Sequence, residues 1–238
     1  MLRGLDDGPT VLLNAAAEPY PASMIKVPIA MALAALAARG TVRWEDTVTV
    51  EARNMTANDA PSAFVAGYSA TLAQCVGAML SRSDNVATNV LIDVIGREIL
   101  TLGCRQFGLE RTAVRRKLSG ASPLIDDLAA HGRNAHPPLD CARLFERIAQ
   151  DAAPYRIVRD ALLAQCWNDK LSRGWDARDT FAHKTGDTDA TSHDGGILTL
   201  AGGRRYVVVV YSTLASNADT DRRFTAFARG LRRLLVDP

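Results

Sequence analysis

Between Lys26 and Arg39 lies an unbroken apolar run, Val27 to Ala38, which limits the possible folds of this chain more than any other feature. It is shorter than the ~20 apolar residues that a membrane-spanning helix needs. Pro28 suits a first helical turn, and Arg39-Gly40 ends the run as a glycine-terminated helix ends. A lysine ahead of an apolar stretch also imitates a signal peptide, but this run begins some way into the chain and reads better as a buried core helix. The rest of the chain must enclose such a helix, and 47% hydrophobic content over 238 residues is enough material for one large domain or two interlocked ones.

The elements predicted around it fall into three groups. Val11 to Leu13 reads as a short strand, followed after Pro19 and Pro21 by a helix from Ser23 to Arg39 and a strand from Thr47 to Glu51. The next stretch is helical in period, over Thr71–Arg82, Asn85–Ile95, Glu98–Phe107, Leu139–Gln150 and Tyr155–Gln165, with Pro137-Pro138 opening the fourth. Strand patterns then return over Thr180–Lys184, Gly196–Leu200 and Arg205–Ser212 as an antiparallel meander, and an amphipathic helix closes the chain over Asp219–Val236. The pattern predicts an α/β protein: an antiparallel sheet with flanking helices built from residues 1–46 and 171–238, an all-helical domain inserted over 47–170, and an active site in the cleft between them.

Charge and cysteines narrow the function further. The 28 basic and 26 acidic residues leave a formal charge of +2, so no nucleic-acid partner and no membrane insertion are expected. The clusters Arg115-Arg116-Lys117 and Arg232-Arg233 read as solvated faces. Cys75, Cys104, Cys141 and Cys166 show no C-x-x-C spacing and read as free thiols, with disulfides open to an exported protein. His131 and His136 share a loop without an H-E-x-x-H pattern or a cysteine partner, so no metal or other cofactor is assigned.

Three short strings carry the chemistry. Ser23-Met24-Ile25-Lys26 puts a hydroxyl and an amine on one face at a helix start, the arrangement a serine nucleophile needs if burial or a nearby cation makes the lysine basic. Alone it fits equally well an N-cap serine with a surface lysine. Ser83-Asp84-Asn85 and Lys184-Thr185-Gly186 change that weighting, because S-x-x-K, S-D-N and K-T-G in this order define one class of acyl-transfer enzyme.

On these motifs, together with Lys26-Val27-Pro28-Ile29, Val86-Ala87-Thr88-Asn89 and Gly195-Gly196-Ile197, the chain resembles the class A β-lactamases and other penicillin-recognising serine hydrolases over nearly its whole length. The resemblance implies the class A β-lactamase-like fold and an acyl-enzyme formed at Ser23 from a β-lactam or a D-alanyl peptide. Lys26 would relay the proton, Ser83 would pass it to the departing nitrogen, and Lys184 would be a fixed positive charge. Asn85 would bind the substrate's amide side chain and Thr185 its carboxylate. Gly186 would leave the strand edge open, and the backbone N–H groups of Ser23 and Asp187 would form the oxyanion hole. Asp84 is expected to fix its loop. The resemblance also implies a monomer acting outside the cytoplasm, although no signal peptide is visible in the chain.

Two positions depart from the family pattern. The glutamate that activates the deacylating water is not found: Lys117 to Leu139 holds only Asp126 and Asp127 as acids, and Glu146 belongs to the next helix. His193 stands near the place of an arginine that pairs with the substrate carboxylate; it could do so only when protonated, and otherwise would bond neighbouring backbone. The segment before Ser23 is also shorter than the resemblance leads us to expect. Slow β-lactam hydrolysis, a D-alanyl peptidase or other amidase or esterase, and a non-catalytic wall-peptide binding module all remain open.

Overall fold

The computed structural model describes residues 1–6, 8–120, 123, 125–126, 131–150 and 153–236. In chain order the elements are β1 (Leu2–Gly4), β2 (Thr10–Val11), α1 (Lys26–Ala38), β3 (Thr47–Thr49), β4 (Ser69–Thr71), α2 (Leu72–Ser81), α3 (Asn85–Ile95), α4 (Arg97–Gln106), α5 (Pro138–Ala149), α6 (Arg156–Leu163), β5 (Thr180–Asp187), β6 (Ser192–Thr199), β7 (Arg205–Ser212) and α7 (Ala218–Val236).

Helix α1 is the hub that its sequence requires. Every residue from Lys26 to Ala35 is buried, and α2, α3, α4, α5 and α6 all pack against it. The helices around it are amphipathic, and two of them begin at side-chain caps that satisfy otherwise orphaned N–H groups. Thr71 and Gln74 form a reciprocal capping box on α2, and Asp84 caps α3 by accepting from Ala87 N at 2.8 Å.

The sheet has the order β2-β1-β7-β6-β5 with every pairing antiparallel, so the predicted meander is joined by the amino-terminal hairpin. Side chains alternate across it with the period of a strand. Ala182, Ile197 and Val207 lie in register and face the core around α1, where Leu144, Phe145 and Ile148 of α5 also pack. Phe181, Leu198 and Tyr206 occupy the opposite face, in a second cluster with Phe224, Ala228 and Leu235 of α7.

The structure departs from the sequence reading mainly at strand ends. Leu12 and Leu13, predicted as strand, lie outside β2 and are exposed, whereas β1 and β4, three residues each, are too short to show a period. Strands β5 and β6 extend through Thr185–Asp187 and Ser192–Gly195, polar or glycine positions that a search for apolar alternation passes over.

Phe145 is fully buried and Leu234 is 72% exposed. We therefore expect Phe145→Ala to cost about 3–5 kcal/mol in urea unfolding and Leu234→Ala to change stability by less than about 0.5 kcal/mol.

Candidate active site

Ser23 sits on a short 3-10 turn, Ala22–Ile25, that feeds into α1. Pro21 O accepts from Met24 N at 3.0 Å, and Ala22 is held at φ 47°, a left-handed conformation uncommon without glycine. The helix proper begins at Lys26, three residues later than predicted. Strand β5 meets this turn at Gly186, where a Cβ would come within 3.0 Å of Pro21 O and Met24 Cγ. Glycine lets β5 lie close against the turn, where a side chain would make its neighbours give by a few tenths of an ångström.

The three motifs converge on the hydroxyl of Ser83. Lys26 Nζ donates to Ser83 Oγ at 3.1 Å, to Ser83 O at 2.6 Å and to Asn85 Oδ1 at 2.7 Å. Lys184 Nζ donates to the same Ser83 Oγ at 2.9 Å and to Thr185 O at 2.8 Å. Both lysine side chains are fully buried. Burial first, and then the neighbouring Lys184 charge, holds the Lys26 ammonium well below its usual range, while Asp84 and Asp59 offset part of that effect. Burial likewise lowers Lys184 to about 7, opposed by Asp187.

The second motif is shaped to present that hydroxyl. Ser83 has φ 59°, and Asp84, besides capping α3, accepts a hydrogen bond from Ser62, the loop-fixing arrangement expected of it. Asn85 is tied on three sides: Oδ1 to Lys26, Nδ2 to Ala57 O at 2.9 Å and its backbone N to Asn58 Oδ1 at 2.6 Å. Asn85 is buried and is not among the described residues that line the cleft. Ser23, Ser83, Thr185, Gly186 and Asp187 line a single cleft of about 410 Å³.

His193 requires a correction. Its ring is buried, stacked on Tyr211 with centroids 4.2 Å apart, and bonded through Nε2 to Tyr20 O at 2.8 Å, while Nδ1 accepts from Ser212 N at 3.2 Å. Neither nitrogen is left for a substrate carboxylate, and burial lowers its pKa further. The cation on the cleft wall is instead Lys170, whose Nζ lies 2.5 Å from Asp187 Oδ1 and 3.2 Å from His193 O. Lys170 escapes a reading of the sequence because a lysine in the polar stretch Trp167-Asn168-Asp169-Lys170 looks like solvated surface.

Of the acids near the place of the missing glutamate, neither Glu146 nor Asp126 is among the described residues that line this cleft. Glu146 pairs with Arg3 at 3.2 Å. Asp126 accepts from Arg97 Nη2 at 2.7 Å and Lys117 N at 2.5 Å, and these bonds outweigh burial and lower its pKa. Asp127 lies outside the described residues. His136 is buried against Thr112, and burial lowers its pKa to about 3. Among the described residues no group of His, Cys, Asp and Glu is arranged to hold a metal ion. All four cysteines are free, and only Cys166 is exposed.

The family model described as the beta-lactamase enzyme family matches residues 1–231. The chain belongs to that family and is a β-lactamase-like serine hydrolase by membership. Among solved structures it is similar to PBP-A, at 24% identity and TM-score 0.88 over 100% of this chain and 89% of that one. It is also similar to a mutant of PBP-A solved as an acyl-enzyme complex with penicillin G, at 23% identity and TM-score 0.86 over 100% and 89%. A β-lactamase from Sphaerobacter thermophilus DSM 20745 follows at 22% identity and TM-score 0.85 over 100% and 91%. These likenesses establish the class A β-lactamase-like fold. No curated protein sequence matches the chain.

NMR titration of the lysine side chains should find Lys184 titrating near 7 and Lys26 well below 10.5. Lys184→Met removes a positive charge beside Lys26 and should therefore raise the Lys26 pKa. An unmoved or lowered Lys26 titration would show that the two ammonium groups do not interact as the geometry requires.

Proposed function

We propose that the protein is a serine acyl-transferring hydrolase in which Ser23 is the nucleophile and a β-lactam or D-alanyl peptide carbonyl is the electrophile. The observation that carries this reading is the hydroxyl of Ser83, held between Lys26 Nζ at 3.1 Å and Lys184 Nζ at 2.9 Å. A lysine whose pKa burial holds well below its usual range can, once it has lost a proton, take the Ser23 proton as Oγ bonds to the carbonyl carbon. The tetrahedral oxyanion would lie between the N–H groups of Ser23 and Asp187. Collapse breaks the carbon–nitrogen bond, and the proton passes from Lys26 through Ser83 Oγ to the leaving nitrogen. Lys184 would supply a positive charge along that path, one that is lost as pH rises through about 7, and Thr185 and Asn85 would orient the substrate.

On this reading the site lies between a sheet part, residues 1–46 and 171–238, and a helical part, residues 47–170, and works outside the cytoplasm as a monomer. Among the described residues no helix is long and apolar enough to cross a membrane. Release of the acyl group needs a positioned base for water. Because the glutamate that the family places before α5 is not found, and Asp126, the described acid of that segment, does not line the cleft, we propose slow deacylation, which favours a peptidase, amidase or esterase role over efficient antibiotic turnover.

Intact-mass spectrometry after mixing with a penicillin tests this directly. The expected result is an adduct of one penicillin that forms on the native protein, is absent from Ser23→Ala and persists far longer than it takes to form. Rapid loss of the adduct with consumption of the drug would point to a working β-lactamase, and labelling of Ser23→Ala would overturn Ser23 as the nucleophile. Reversible binding without an adduct would favour a wall-peptide binding module.

A further inference from the structure

The cleft wall contains a carboxylate where an anionic substrate would need a cation. Lys170 is the basic side chain among the described residues lining the cleft, and it is almost fully buried. Its ammonium is already engaged by Asp187 Oδ1 at 2.5 Å and His193 O at 3.2 Å, with the Phe224 ring 5.7 Å away. Ser192 Oγ donates to the same Asp187 oxygen at 3.0 Å. An ammonium and a hydroxyl converging on one carboxylate oxygen form a ready anion site, and the chain fills it with its own side chain. The other candidate cation, His193, is turned onto backbone.

Asp187 adjoins the reacting position. It follows Gly186 on β5, and its backbone N–H is one of the two donors proposed for the oxyanion. The remaining charge around it does not favour an anion, since Asp59, Asp169, Asp189 and Asp221 share the cleft lining. A carboxylate bound beside the scissile carbonyl would have to displace Asp187 from Lys170 or lie against it.

We infer that the Asp187 side chain determines specificity, disfavouring acyl donors that carry a carboxylate next to the scissile group and favouring neutral or cationic esters and amides. This inference rests on the acyl-transfer reading above and ranks the donors of that site, placing the carboxylate-bearing β-lactams and D-alanyl peptides below neutral or cationic esters and amides of the same reactivity. Like charges in a partly enclosed cleft repel strongly enough to alter a second-order rate by roughly an order of magnitude.

The test compares acylation by a penicillin with acylation by its methyl ester, each rate normalised to the probe's own hydrolysis by hydroxide. On the native protein the ester should react roughly tenfold faster than the carboxylate on that scale. In Asp187→Asn the ratio of carboxylate to ester rates should rise about tenfold, because Lys170 is released to bind the anion. In the double variant with Lys170→Met that rise should disappear, and added salt should diminish it in the single variant. The native preference is a readout that needs no variant to fold. A native protein that prefers the carboxylate, or a ratio that Asp187→Asn leaves within about twofold, overturns the inference while leaving acyl transfer intact. Absence of both an adduct and any consumption of either probe on the native protein overturns the acyl-transfer reading, and this inference with it.

Discussion

Two lysine side chains buried against one serine hydroxyl are the constraint on which the rest of the site depends. Lys26 and Lys184 are both inaccessible to water and both bond Ser83 Oγ, so a fold that buries them must supply acceptors for their protons. It does so with Ser83 O, Asn85 Oδ1 and Thr185 O. Each acceptor belongs to one of the two motifs facing the nucleophile, so satisfying the lysines and assembling the site are the same event. Placing like charges together in low dielectric is unfavourable unless one proton is given up. The resulting shift toward a neutral amine is what the proposed activation of Ser23 would require.

The local geometry follows from that requirement. Ser83 adopts a left-handed backbone at φ 59°, which is strained for a residue with a side chain. Asp84 then caps α3 and accepts from Ser62, which fixes the loop in this conformation. On the other side, Gly186 lets β5 approach the turn holding Ser23, where a Cβ would crowd Pro21 O and Met24. The apolar helix α1 carries Lys26 into the interior because the residues after it are buried in the surrounding helices.

Much of this is legible in the sequence because it depends on local patterns. The run Val27–Ala38 announces a core helix, and three motifs of fixed composition announce a serine, two lysines and their partners. What the sequence conceals depends on tertiary neighbours. The position of His193 after the third motif leaves both a substrate carboxylate and neighbouring backbone open as its partner, and nothing in the sequence reveals that Tyr20 O and Ser212 N meet its two nitrogens. Lys170 looks solvated until β5 and β6 bring Asp187 and the His193 carbonyl to its ammonium. The extra lengths of β5 and β6 are hidden because their buried ends are polar, which inverts the usual relation between burial and hydrophobicity.

The same polar strand ends connect the two unusual features of the cleft. Asp194 accepts from Leu171 N at 2.9 Å and bonds His183 Nδ1 at 2.8 Å, which anchors the segment before β5 and so places Lys170 in the wall. Ser192 and Lys170 then hold the side chain of Asp187 while its backbone remains in the β5–β6 ladder. On the proposed reading the backbone of Asp187 would serve the oxyanion irrespective of its side chain, and that side chain would select by charge. Substrate choice and acyl transfer would then meet at one residue through different atoms, so that one can change without loss of the other.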